Sequence, residues 1–309
     1  MFLLTVLFVA LLLLYMIYGL LDRKLTMSEI DRKAVLITGC GSGFGRDLVG
    51  RCLQNGLTVF AGCKFESNLN DLEESYGSVS QGGLYAFHMD VTDDESVRKS
   101  KKIVDSILQE RNLVLHAVIN NAGIRGNQFY DDFLVLDDYK EVWDVNVYGV
   151  IRVTHAFRSL IKKSRYELEP FGVFVTVLFP GSFQTGLHVT EDLHEMVDVV
   201  WNRSSQEIRN EYGNDFNMKA KAFVDKTLSK LLSKDTTRVI DTYYEAIVAK
   251  RPKLSYRIGW DASFICVCKF TWDLELQNFY ASSLFQLLSL FIPAAMGTVS
   301  SYEDFNEMV

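Results

Sequence analysis

The chain has few cysteines, few prolines and no block of like charge, and each shortage removes a class of protein. Its five cysteines, Cys40, Cys52, Cys63, Cys266 and Cys268, have neither the even count of a disulfide scaffold nor the paired spacing of a zinc site. They fit a reducing compartment, and no metal ligand set is expected. The formal net charge is −7 with no extended run of Lys or Arg, so the electrostatic footprint of a nucleic-acid binder is missing. There is no internal repeat, low-complexity tract or long Pro- or Ser-rich linker. What remains is 309 residues, 48% of them hydrophobic, enough to bury a sizeable core.

Charge is also missing from the first 21 residues, MFLLTVLFVALLLLYMIYGLL. At ~1.5 Å per residue this run reaches ~31 Å, the thickness of a bilayer's hydrocarbon core. It is expected to be a transmembrane anchor (1–21) rather than a cleaved signal, because it lacks a basic start and a clear small-residue cleavage site. Arg23, Lys24, Arg32 and Lys33 follow it, which places the following domain on the cytosolic side. Asn202-Arg203-Ser204 is the single glycosylation sequon; glycan there would reverse that orientation.

After a linker (22–30), short apolar runs alternate with helical patterns: AVLI at 34–37, LTVFAGC at 57–63, LYAFHM at 84–89, VLHAVI at 114–119 and VFVTVLF at 173–179. Runs apolar on both faces and separated by helices predict a doubly wound α/β fold around a parallel sheet. His116, inside one such run, reads as a core residue. Residues 187–250 read mainly helical, with Trp201, Ile208, Phe223, Leu228 and Leu231 available for burial. Near the end, 283–299 is apolar but interrupted by Pro293, which suits an interfacial or docking segment better than a second span.

Directly after the first strand comes TGCGSGFG (38–45), and a helix pattern follows. Glycines there let the backbone approach a pyrophosphate, and the helix start offers free N–H groups and a positive dipole end. No G-x-G-x-x-G register fits, because Phe44, Arg46 and Leu48 stand where glycine is needed. The spacing is T-G-x-x-x-G-x-G. Asp90 opens DVTDDE, where Thr92 and Glu95 also suggest a plain capping box.

That glycine spacing, NNAG at 120–123, Asp90, Asn146 within a helix and PGSFQT at 180–185 together resemble the short-chain dehydrogenase/reductase family. VFAGC (59–63), RYELEPFGV (165–173), NEYGNDF (210–216) and RPKLSYRIGWDA (251–262) are most similar to its membrane-bound retinol and hydroxysteroid dehydrogenases. The resemblance covers residues 31–265, with 187–260 as the substrate-covering region, and leaves an apolar C-terminal segment and tail at 266–309. It implies a Rossmann-like domain that binds NAD or NADP and converts an alcohol or ketone on a lipophilic retinoid or steroid. It also implies an endoplasmic reticulum membrane; the charge pattern already argues against nucleic acid as a partner.

Carried over by position, the resemblance implies that Thr38, Gly39, Ser42, Gly43, Phe44 and Gly45 hold the cofactor phosphates. Asp90 and Val91 border the adenine. Asn121, Ala122 and Gly123 line the ribose and nicotinamide side, with Pro180, Gly181 and Thr185 near the carboxamide. Lys64 favours a 2′-phosphate while Glu66 would suit free ribose hydroxyls, so NAD against NADP stays open.

The family also carries a strand Ser and a helical Tyr-x-x-x-Lys between positions matching Asn146 and Pro180. Here only 33 residues lie between those two, and none of the 14 tyrosines has a lysine four residues later. Tyr148 has Arg152 there, a group too basic to act as a tunable partner. RYELEPFGV follows the Asn146 helix directly at Lys163-Ser164, so the domain is expected to be one βα unit short, about 30 to 40 residues. Of the catalytic set only Asn146 remains. VFVTVLF is expected to slide in beside VLHAVI and close the sheet. The lost helix is the family's usual subunit contact, so ordinary dimerisation is not expected. Two readings follow: an oxidoreductase with severely impaired turnover, or a catalytically silent nucleotide-binding membrane protein acting as partner or decoy, a pseudoenzyme. A non-functional splice product is a third.

Overall fold

The computed structural model describes residues 26–78, 83–127, 129–163, 173–185, 189–228, 232–259 and 261–262. The apolar run 1–21, the linker up to residue 25, Tyr166 and the stretch from 263 onward lie outside them. Among the described residues no helix is long and apolar enough to cross a membrane.

The first half alternates strand and helix in order: β1 (Lys33–Thr38), α1 (Gly43–Gln54), β2 (Thr58–Cys63), α2 (Glu66–Tyr76), β3 (Leu84–His88), α3 (Asp94–Glu110) and β4 (Val114–Ile119). The four strands make one parallel sheet in the order β3-β2-β1-β4. Strand side chains alternate between faces. Val35, Ile37, Val59 and Ala61 therefore meet Leu48, Val49, Cys52 and Leu53 of α1 on one side. Ala34, Leu36 and Phe60 meet Val97 and Val104 of α3 and Val153, Phe157 and Leu160 of a later helix on the other. Each helix contributes one stripe at spacings of three and four, the signature of an element packed on one face.

α3 is capped by Asp93, whose carboxylate accepts from the N–H groups of Glu95 and Ser96. The expected cap was Thr92. That residue instead donates its N–H and hydroxyl to Asp90 Oδ1, at 2.9 and 2.7 Å, because an Asx turn uses Asp90 as its acceptor one step earlier.

After β4, the chain forms α4 (Leu136–Trp143), a π-helical turn (Asp144–Gly149) and α5 (Val150–Lys163). Then come β5 (Val177–Pro180), α6 (Thr190–Arg203), α7 (Gln206–Tyr212), α8 (Phe216–Phe223), α9 (Thr237–Val248) and β6 (Ser255–Ile258). Among the cap residues expected to be buried, Trp201 is buried and Ile208 packs beside it, but Phe223 is exposed.

The expected closure of the sheet does not occur. β5 covers only Val177–Pro180 and pairs in parallel with β6, forming a separate two-stranded sheet. Among the described residues β4 is an edge strand. The two sheets share α9, whose Ile240, Ile247 and Val248 pack with β1 and β2 while Val239 packs with Tyr256 and Ile258. His116 of β4 is tied to the same helix, with Nε2 2.9 Å from the carbonyl oxygen of Ile247. α9 thus packs against both sheets, and sliding β5 over to β4 would break its contacts with β6 and with the cluster around α9. The consequence is exposed apolar surface: Val175 is 75% exposed, and Val177 and Phe179 are also open.

Candidate functional site

The glycine loop after β1 has the shape its sequence asks for. Gly39 and Gly43 adopt φ of +68° and +57°, a region that costs other L-residues about 1–2 kcal/mol. A Cβ on Gly39 would stand 2.7 Å from Ala122 Cα, and one on Gly45 would stand 2.5 Å from Gly39 O. Ser42 caps α1 in extended conformation without using its side chain for the cap. The loop is thus a backbone cradle opening on a helix N-terminus. Phe44 is the exception to side-chain contact there. Its ring packs edge-on to Phe183 at 6.1 Å and near Tyr243 at 6.4 Å, so only its backbone faces this task.

The cradle is bolted to the end of β4. Buried Thr38 accepts through Oγ1 from the N–H groups of Asn121 and Ala122, at 3.1 and 3.0 Å. Asn121 returns its side-chain amide to the carbonyls of Thr38 and Gly39, at 3.0 and 3.2 Å. Thr38 therefore sits in the site as a brace between β1 and β4. Next along the chain, Asn146 clamps Ile124: its Nδ2 donates to Ile124 O at 2.8 Å, and its Oδ1 accepts from Ile124 N at 2.9 Å. Gly123 sits under that clamp, with room for a Cβ only 3.3 Å from Asn146 Oδ1. Sequence placed Asn146 on a helix; the π-helical turn that aims it is a tertiary feature.

At the end of β2, Lys64 Nζ lies 3.1 Å from Asp90 Oδ2. Burial works to raise the Asp90 carboxyl, but the bonds from Thr92 and the Lys64 ammonium outweigh it and hold it below the ordinary carboxylate value. Lys64 and Asp90 thus stand together as a pair at the edge of the site, with Val91 buried behind them. Glu66 begins α2 nearby and is exposed. The thiols around the loop are inert packing: burial pushes Cys52 up to about 12 and Cys63 up to about 11.

The remaining expected contributors lie on the second sheet. Pro180 ends β5, and Gly181 is roofed by Asp261, whose Oδ1 would be 1.9 Å from a Cβ there. Asp261 Oδ2 accepts from Ser182 N at 2.6 Å. Burial opposes its ionised form, yet the bonds from Ser182 keep its carboxyl below the ordinary value. Thr185 is half-buried just beyond. Phe183 on Phe44 is the contact that brings this segment to the glycine loop.

Arg152 is engaged with Asp94 (2.6 Å), with Asp144 (3.4 Å) and with the carbonyl oxygen of Val91. Tyr148 is half exposed and lies against Trp143 at 6.4 Å. Arg152 belongs to α5 and Tyr148 to the π-helical turn before it; with Ile151 and His155 they line a shallow open cavity of about 510 Å³ against α3.

Sequence reasoning missed the element that holds the cap. Asp138, 7% exposed, takes a bidentate guanidinium from Arg203, the Val135 N–H at 2.7 Å and the Asn127 amide at 2.7 Å. The Arg203 bond, helped by the other donors against burial, lowers its carboxyl to about 2. This pair fixes α6 to the start of α4, and Phe129, Phe133, Trp201, Tyr212 and Phe216 stack around it. Asp138 at the third position of a helix was readable as a cap; a partner 65 residues away was not.

The short chain dehydrogenase family model matches residues 33–165. The 3beta-hydroxysteroid dehydrogenase dhs-16 of Caenorhabditis elegans is 31% identical over 297 residues, spanning 84% of this chain and 76% of that protein. Human retinol dehydrogenase 5 is 29% identical over 266 residues, 75% of this chain and 82% of its own length. A short chain dehydrogenase/reductase from Burkholderia phymatum, solved in complex with NAD, superposes with a TM-score of 0.59 at 20% identity, over 81% of this chain and 97% of that one. NAD or NADP is the cofactor that fits this family. The chain belongs to the short-chain dehydrogenase family and within it is similar to the retinol and hydroxysteroid dehydrogenases.

Proposed function

We propose that this oxidoreductase-family chain binds NAD or NADP and a lipophilic retinoid or steroid ligand, and turns the ligand over only weakly. It is held to a membrane by residues 1–21, with its domain on the cytosolic side. The observation that carries this reading is the split between β4 and the β5–β6 pair, at the place in the sequence where the family's Ser and Tyr-x-x-x-Lys segment is missing. Both edges of the split are unpaired among the described residues, which supports a doubly wound sheet that is one βα unit short and has not closed over the gap.

Gly39, Ser42, Gly43 and the N–H of Phe44 would hold the phosphates, with Gly45 giving them room. Asn121 to Gly123 would face the ribose and nicotinamide, Pro180, Gly181 and Thr185 the carboxamide, and Lys64 with Asp90 and Val91 the adenosine end. When bound, the nicotinamide supplies or accepts hydride. The chain's own residues would position it, but among the described residues none near Asn146 is placed to move the alcohol proton. A positioned acid–base group contributes about 10² to 10⁴ in rate, and that factor is the expected deficit.

NADH fluorescence titration of the full chain, together with turnover of retinol and of a 3-hydroxysteroid, tests the reading. Micromolar NADH binding with turnover at least 100-fold below an intact relative is expected. Ordinary turnover would refute the impairment, and absence of NADH binding would refute the cofactor site. A second reading, a silent partner or decoy for an intact relative, is favoured by the exposed apolar surface at Trp143, Val147 and Ile151. Co-purification of that relative with the full chain, lost on W143K, would support it.

A further inference from the structure

Arg125 stands two residues beyond Gly123, on the loop that leaves β4. Its Nε is enclosed from water without a hydrogen-bond partner. The side chain makes no hydrogen bond or ion pair with any described residue. Arg203 and Arg152, the other guanidiniums beside this loop and its helix, are both engaged with carboxylates. The nearest compensating charge is Asp192 in the first turn of α6, which favours the cation from beyond the 4 Å of an ion pair. Burial alone lowers the Arg125 pKa, but a guanidinium remains charged across the accessible pH range.

The loop presents this cation rigidly. On one side Ile124 is clamped through both backbone groups by Asn146. On the other, Gly126 turns the chain at φ +65°, with Val142 Cγ2 2.3 Å from where a Cβ would be. Three residues further on, Phe129 begins the aromatic cluster with Phe133 and Phe216. A partly desolvated, unpaired charge at a fixed position is costly to keep and is the arrangement that recognises an anion bidentately.

We propose that Arg125 anchors the carboxylate of an otherwise apolar ligand bound at the loop after β4. The inference rests on the reading of this loop as the ligand side of a bound nicotinamide nucleotide. It narrows the ligand class from lipophilic alcohols to amphiphiles that carry an acid group.

All-trans-retinoate and all-trans-retinol share one apolar body and differ at the head, so they are the probes. Each is titrated against the NADH-loaded full chain in detergent by quenching of tryptophan fluorescence. Retinoate is expected to bind at least tenfold more tightly than retinol. R125Q is expected to weaken retinoate ~10- to 30-fold, the loss of one charge-assisted pair, while retinol and NADH affinities hold. R125K should keep part of the preference. Equal affinity of the two retinoids for the unchanged chain, or retained preference in R125Q, overturns the inference while leaving NADH binding intact. Loss of NADH affinity in R125Q with retinoate unchanged would assign the residue to the cofactor phosphates and overturn it too. No NADH binding by the unchanged chain defeats the function reading and this inference together.

Discussion

Replacing Gly45 by alanine isolates the steric part of the cradle, because Gly45, unlike Gly39 and Gly43, is not at positive φ. The new methyl would stand 2.4 Å from Asn121 Nδ2 and 2.5 Å from Gly39 O, about an ångström inside ordinary contact. Asn121 can yield only by giving up its bonds to the Thr38 and Gly39 carbonyls, at about 0.5–1.5 kcal/mol each. Gly39 O is backbone, and moving it opens the loop itself, with overpacking adding about 1–3 kcal/mol. Against this, alanine in place of glycine within α1 favours the helix by up to ~1 kcal/mol. The net expectation is a loss of about 1–3 kcal/mol in urea unfolding. NADH affinity should fall about 10- to 100-fold, since ~1.4 kcal/mol is tenfold and binding requires the loop restored. Fluorescence titration and urea melts on the same preparation decide it. NADH affinity within threefold of the unchanged chain, with stability equal or raised, would show that the loop does not approach Asn121 as described.

Three further outcomes follow. D138N removes the charge that Arg203 holds; at pH 7 it should cost about 2 kcal/mol, less than a fully buried pair because Arg203 is part exposed. The Asp138 carboxyl is lowered in the folded state, so its contribution is present above ~4, the unfolded value, and lost as pH falls to about 2. The unchanged chain should therefore lose about 1–2 kcal/mol more than D138N between pH 4.5 and 2, read from urea midpoints, and parallel pH curves would contradict the assignment. N146A breaks two exposed bonds to Ile124 and should weaken NADH two- to fivefold while costing about 1 kcal/mol; an unchanged NADH titration would show that the clamp does not shape the cofactor side. V175K and F179K test the split sheet: on surface this open each should change stability by less than about 1 kcal/mol. Losses above ~3 kcal/mol, as for a buried strand, would mean the gap is filled.

The family, the parallel sheet and the glycine cradle were determined by local sequence. β1 and β2 are apolar on both faces, a pattern that suits only a strand covered on both sides. Gly39 and Gly43 mark turns that other residues resist. The absence of a Tyr-x-x-x-Lys pair was equally plain, since it needs only the order of residues. The split of the sheet was not legible. VFVTVLF reads as a strand free to pair anywhere, and its pairing with β6, packed on an α9 that also holds His116 of β4, is a tertiary choice. The Asp138–Arg203 pair and the solitary Arg125 were hidden for the same reason. Whether a charge is paired depends on which distant elements fold against it, a question of tertiary geometry that neighbouring residues in the chain do not answer.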